Sequence, residues 1–129
     1  MYSIKFKDKV IFSLFISALS FNTLASEIAA GEKVFVRCKA CHEITPDKSK
    51  VGPSLYDVIG RKAGSLSSFP MYTDAMKNSN KVWDESSLSE FLKAPMKVVK
   101  GTRMIFTGLP SEQDRSNLIA YLKTLQASE

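Results

Sequence analysis

Histidine is almost missing from this chain, with His42 the only one, and cysteine occurs just twice, at Cys38 and Cys41. A single imidazole leaves little room for general-base or triad chemistry once it has another task. A closed zinc or copper site needs further Cys or His ligands, and the sequence holds none. Strand patterning is missing too. No stretch of useful length alternates apolar and polar residues, and no segment repeats. There is no phosphate loop and no paired-carboxylate constellation, and the acidic residues lie scattered in charged runs that read as solvated faces. No basic run is interleaved with aromatics, which sets nucleic acid aside. The longest apolar run, residues 10–21, is too short to span a bilayer comfortably.

What is there starts with an ordinary globular composition, 44% hydrophobic and 24% charged, in a length that suits one domain. The net charge of +5 favours an acidic partner. Residues 1–25 read as a secretory signal: Lys5, Lys7 and Lys9, then the apolar run, then small residues with Thr23 and Ala25 before a cut. Cleavage after Ala25 is expected, leaving 26–129 as a single domain with 15 basic and 12 acidic residues. Export by such a signal places the protein in the periplasm, with at most peripheral membrane contact.

Three segments carry a helical period. The first runs from Ser26 through Ile28, Val34 and Phe35 to the cysteines, with a costly Gly31 inside it. The second starts at an Asp84 cap, buries Leu88, Phe91 and Leu92, and stops at Pro95. The third is capped by Ser111, with Leu118, Tyr121, Leu122 and Leu125 as its stripe and Ile119 beside it. A shorter helix follows Thr73. The class is all-α. Two long aperiodic segments, 44–71 and 95–110, remain. So small a domain buries too little to hold such loops by side chains alone, so a large rigid prosthetic group is expected to fill the middle.

Cys38, Cys41 and His42 stand at i, i+3 and i+4, which on a helix share one face. Thioredoxin-like redox chemistry would want a strand and a βαβ frame around the C-x-x-C, and neither is present. C-x-x-C-H is the attachment pattern of haem c: two thioethers hold the porphyrin and the adjacent imidazole takes the iron. One covalent haem c through Cys38 and Cys41 is therefore expected. Since His42 is spent, the second axial ligand should be a methionine. Met76 falls on the short helix as core, Met71 lies in a turn, and Met96 follows Pro95 beside Lys97. Met104, in GTRMIF with Ile105 and Phe106 expected to keep water out, is the candidate.

The segments GEKVF, CKACH, VGPSLYDVIGRKAG, YTDAMK, GTRMIF and NLIAYLK stand in the order found in small soluble class I c-type cytochromes. Nearly the whole chain after residue 25 resembles that family, which includes mitochondrial cytochrome c and bacterial cytochromes c2 and c550. The resemblance implies a few short helices wrapped round one haem, the first and last crossing, and one-electron transfer rather than enzyme activity. It implies that Gly31 and Phe35 meet Leu118 and Tyr121. Pro53 would accept the His42 Nδ1 proton, and Arg61, Tyr72, Trp83 and Thr102 would bind the haem propionates. Three positions depart from the family pattern. Lys100 precedes Gly101 where proline is usual, Phe91 stands in place of a tyrosine, and Met76 in place of a polar residue.

The expected role is a monomeric carrier shuttling electrons between an oxidase, a reductase or a dehydrogenase with acidic docking surfaces. Arg37, Lys39, Lys50, Lys97, Lys100 and Arg103 would form the steering ring. The rival reading is a ligand-binding or weakly peroxidatic haem protein with an open iron site. A second rival is a thiol or metal-handling protein.

Overall fold

A computed structural model describes residues 23–128, so the expected export segment lies almost wholly outside the described residues. Helix α1 occupies 23–35 of the described chain, followed by α2 (Asp74–Lys77), α3 (Glu85–Lys93), α4 (Pro95–Val98) and α5 (Glu112–Lys123). The caps are local chemistry. The Thr73 hydroxyl accepts from Met76 N, the Asp84 carboxylate from Ser87 N at 2.8 Å, and the Ser111 hydroxyl from Asp114 N at 3.1 Å. Glu112 and Asp114 at the start of α5, and Lys123 at its end, suit the helix dipole.

Two features differ from the sequence reading. Helix α1 ends at Phe35, and the cysteine segment continues as hydrogen-bonded turns. Cys38 N donates to Phe35 O at 2.8 Å and Cys41 N to Cys38 O at 3.1 Å, bonds of the tighter three-residue kind. Pro95 ends one helix and opens another. It sits at the first position of α4, where its missing N–H costs nothing.

Among the described residues the only β feature is an isolated bridge, Lys62 with Val82. Ala63 N donates to Lys81 O at 2.8 Å, and Trp83 N donates to Arg61 O at 2.9 Å. These bonds pin the 60–63 loop to the segment before α3, and so bring Arg61 and Trp83 side by side.

The core joins Phe35 of α1, Leu88, Phe91 and Leu92 of α3, and Leu118, Ile119, Tyr121 and Leu122 of α5. Val58, Ala63, Met76, Trp83, Val99 and Leu109 complete it from short elements and loops. Helix α1 crosses α5 at Gly31, where a β-carbon would stand 1.9 Å from Asn117 O and 2.8 Å from Tyr121 Cβ. The Phe35 and Tyr121 rings meet one turn on, centroids 5.4 Å apart. Gly31→Ala gains helix propensity of about 1 kcal/mol. The clash with a backbone oxygen outweighs that gain, because overpacking costs about 1–3 kcal/mol or more when nothing flexible can yield. The expected result is a net loss of about 2 kcal/mol, read as a lower urea midpoint at unchanged slope. An unchanged midpoint would mean that the helices spread at no cost.

Candidate functional site

The turn that follows α1 carries the thiols and the imidazole. His42 N donates to Cys38 O at 2.9 Å, so a single turn holds Cys38, Cys41 and His42 together although the α-helix has ended. Neither cysteine is in a disulfide; Cys38 is half-buried and Cys41 exposed. Burial pushes the Cys38 thiol up to about 11, although the Arg37 charge beside it pulls the other way. A reactive redox thiol needs a depressed value, so the surroundings of Cys38 argue against thiol–disulfide chemistry.

The 52–55 segment folds back onto this turn. Gly52 N donates to Cys41 O at 2.8 Å and Leu55 N to Glu43 O at 2.9 Å. His42 Nδ1 lies 2.7 Å from Pro53 O and donates to it. That bond fixes the tautomer, leaving Nε2 with its lone pair and, among the described residues, no hydrogen-bond partner. Burial lowers the His42 pKa, outweighing the Pro53 bond, which favours the neutral ring that a metal requires. A β-carbon on Gly52 would come within 2.4 Å of His42 Cε1, so the ring is seated against bare backbone. Gly52 reads in the sequence only as a breaker. Its real signal is its place ahead of Pro53, which must approach the ring closely.

Met104 lies in the extended segment after Gly101, half-buried and packed on the same core cluster as Cys38. Its amide donates to the Thr102 hydroxyl at 3.2 Å, and its carbonyl accepts from Phe106 N at 3.1 Å. Met71 and Met96 are both about half exposed, and Met76 is core. Ile105 does not shield the methionine as the sequence suggests; it is 91% exposed. Along an extended segment successive side chains alternate sides, so the neighbour of an inward Met104 points out. Phe106 does pack inward, under the Arg37 guanidinium, 5.4 Å from ring centroid to Cζ. This contact joins the cysteine turn to the methionine segment.

Arg61 donates to Ser54 O at 3.0 Å and to Tyr56 O at 2.6 Å, and it stands beside Tyr72. Burial raises the Tyr72 pKa, and the Arg61 charge only partly offsets the rise. Trp83 is buried with its ring 4.9 Å from that of Phe91. The Thr102 hydroxyl is the acceptor for Met104 N. Arg61, Ser54, Ser65 and Ser67 line an open cavity of about 550 Å³, which reaches none of Cys38, His42 and Met104. Ser68 Oγ, next in that loop, is buried with no hydrogen-bond partner among the described residues.

These residues fit haem c. Two thiols and an oriented neutral imidazole share one turn, bare backbone lies against the ring, and Tyr72 and the serine-lined cavity stand beside Arg61, where carboxylates would otherwise be costly to bury.

Comparisons with known proteins point the same way. A cytochrome c family model matches residues 28–126. The chain is 51% identical over 104 residues to a cytochrome c2 of Rhodoblastus acidophilus, covering 80% of this chain and 96% of that one. It is 44% identical over 121 residues to a cytochrome c2 of Blastochloris viridis, covering 92% and 94%. The solved structure of cytochrome cH from Methylobacterium extorquens superposes with a TM-score of 0.71 at 45% identity, covering 74% of this chain and 96% of that one.

Proposed function

The chain belongs to the cytochrome c family and is a monohaem electron carrier, and we propose that Cys38 and Cys41 bind its haem c, His42 and Met104 ligate the iron, and the protein works in the periplasm. The observation that carries the site assignment is the His42 Nδ1–Pro53 O bond in the turn that also holds both thiols. When bound, haem c supplies a one-electron iron couple. The chain supplies the rest. Pro53 orients the imidazole and raises its basicity. Met104 offers a soft sulfur that favours the reduced metal. Arg61, Tyr72, Trp83 and Thr102 are the groups we assign to the propionates. Export fits the basic, apolar and small-residue order of residues 1–25. The overlap with the Blastochloris viridis relative is longer than the stretch after Ala25, so it extends into that leader.

Electrons pass to and from redox partners, and we assign acidic docking surfaces to those partners. Arg37, Lys39, Lys50, Lys97, Lys100 and Arg103 are all exposed. Lys50 contributes least, because it pairs with Glu43 at 2.8 Å. Lys97→Glu reverses one exposed charge beside the methionine segment. Its association rate with an acidic redox protein, followed by stopped flow, should fall about three- to tenfold at low salt. The gap should close as ionic strength rises past the Debye regime. A rate indifferent to both charge and salt would remove the steering surface. Failure to exchange electrons with any redox partner would remove the carrier reading.

A further inference from the structure

Arg115 is a charged residue on a buried face. It is 7% exposed, and its hydrogen-bond partners among the described residues are neutral oxygens. Nε donates to Ser89 Oγ of α3 at 3.0 Å; Nη1 donates to Leu109 O at 2.7 Å and to Pro110 O at 2.8 Å. A buried guanidinium is costly unless its fork is satisfied, so its place calls for an account. The acceptors identify it. Leu109 and Pro110 end the segment that carries Met104, and α3 packs directly on α5.

Two more contacts tie the same point. Leu109 N donates to Leu92 O at 2.8 Å, taking up a carbonyl at the end of α3. Gly108, at φ +102, lies so close over that helix end that a β-carbon would stand 2.2 Å from Lys93 O. The tail of the methionine segment is thus held from both sides, by the carbonyl end of α3 and by the fork of Arg115. The other end is less constrained: Lys100 is exposed where a proline would stiffen the chain, and Gly101 follows at φ +94.

We propose that Arg115 is a positioning residue for the axial methionine, clamping the 108–110 tail so that the Met104 sulfur is held at its site. The proposal rests on the assignment of Met104 as ligand. Thermodynamically, the clamp keeps the fraction of ligand-released molecules small. An external ligand that needs the released form binds more weakly by that fraction.

The test is titration of the ferric holoprotein with imidazole, followed through the weak near-red sulfur-to-iron band. Arg115→Lys keeps the charge but cannot reach three acceptors, and should bind imidazole about tenfold more tightly. Asp84→Ala, which removes the cap at the far end of α3, lowers stability without touching the tail and should bind within about twofold of the parent. Equal imidazole affinity in Arg115→Lys and the parent overturns the proposal, as does equal tightening in Asp84→Ala. If Arg115→Lys does not accumulate, Ser89→Ala, which releases only Nε, is titrated instead; an affinity unchanged from the parent there overturns the proposal equally. A Met104→Ala protein that keeps the band removes the assignment beneath the proposal, a separate failure visible without imidazole.

Discussion

Replacing both Cys38 and Cys41 by alanine should leave no haem on the chain after acid–acetone extraction, and little folded protein. The first half follows from chemistry: thioethers survive denaturation and extraction, whereas an axial bond from His42 alone does not. The second half follows from packing. Helices occupy fewer than half of the described residues, and the stretch from 36 to 73 is turns and irregular chain apart from the bridge residue Lys62. A domain of this size is marginal even with a continuous core. Cys38, Leu55, Ile59, Tyr72 and Met104 are only partly buried against the cluster, so part of their apolar surface is left uncovered among the described residues. At ~25 cal/mol per Å², a few hundred Å² of such surface is worth several kcal/mol, comparable to the whole stability of a small domain. The double variant should therefore lose most of its far-UV helix signal and its cooperative melt. Haem retained on it after extraction would sink the covalent assignment. A single Cys41→Ala, with the half-buried Cys38 intact, should keep one thioether and a reduced yield of coloured protein.

Met104→Ala should abolish the near-red sulfur-to-iron band and lower the midpoint potential. The fall should be on the order of 0.1–0.3 V, part of the ~0.8 V range that axial ligands and surroundings span. The direction is fixed by softness: a thioether holds the reduced metal better than the oxidised one, so its loss makes reduction harder. The same variant separates the carrier from an open-site haem protein. The reduced parent should not bind carbon monoxide, whereas the reduced variant should bind it readily. A parent that takes up the gas would favour the ligand-binding reading. A variant that keeps both band and potential would pass the role to another methionine. Met96, half exposed on α4, would be the next to change.

Much of this molecule is written in short-range signals. Thr73, Asp84 and Ser111 announce three helices because a capping side chain needs only its own next turn to act. Helix α4 has no such signal. PMKV is too short to show a period, and Pro95 reads as a stop although proline also starts helices. The C-x-x-C-H spacing names the cofactor but not the backbone, because tight turns and an α-helix both place residues three and four apart on one side. Ile105 is misjudged for the opposite reason: apolar neighbours along an extended segment cannot all face inward. Arg115 and Asn117 are buried against expectation, since charged and amide residues usually stay outside. Arg115 lies three residues before Leu118 and seven before Leu122, so helical spacing puts it on the apolar stripe. That spacing was the available signal.

The crossing of α1 and α5 at Gly31 has a consequence in time as well as in space. Residues near 31 and near 117–121 touch, so the chain closes on itself only when its last helix is complete. Synthesis delivers the amino-terminal part first. The cysteine turn therefore exists as chemistry long before Leu109, Leu118 and Tyr121 arrive to finish the core around it. In that interval the burial that pushes the Cys38 thiol up is not yet in place. Once α1 and α5 have crossed, Cys38 is half-buried, so the thiols are most open to the cofactor before that crossing forms.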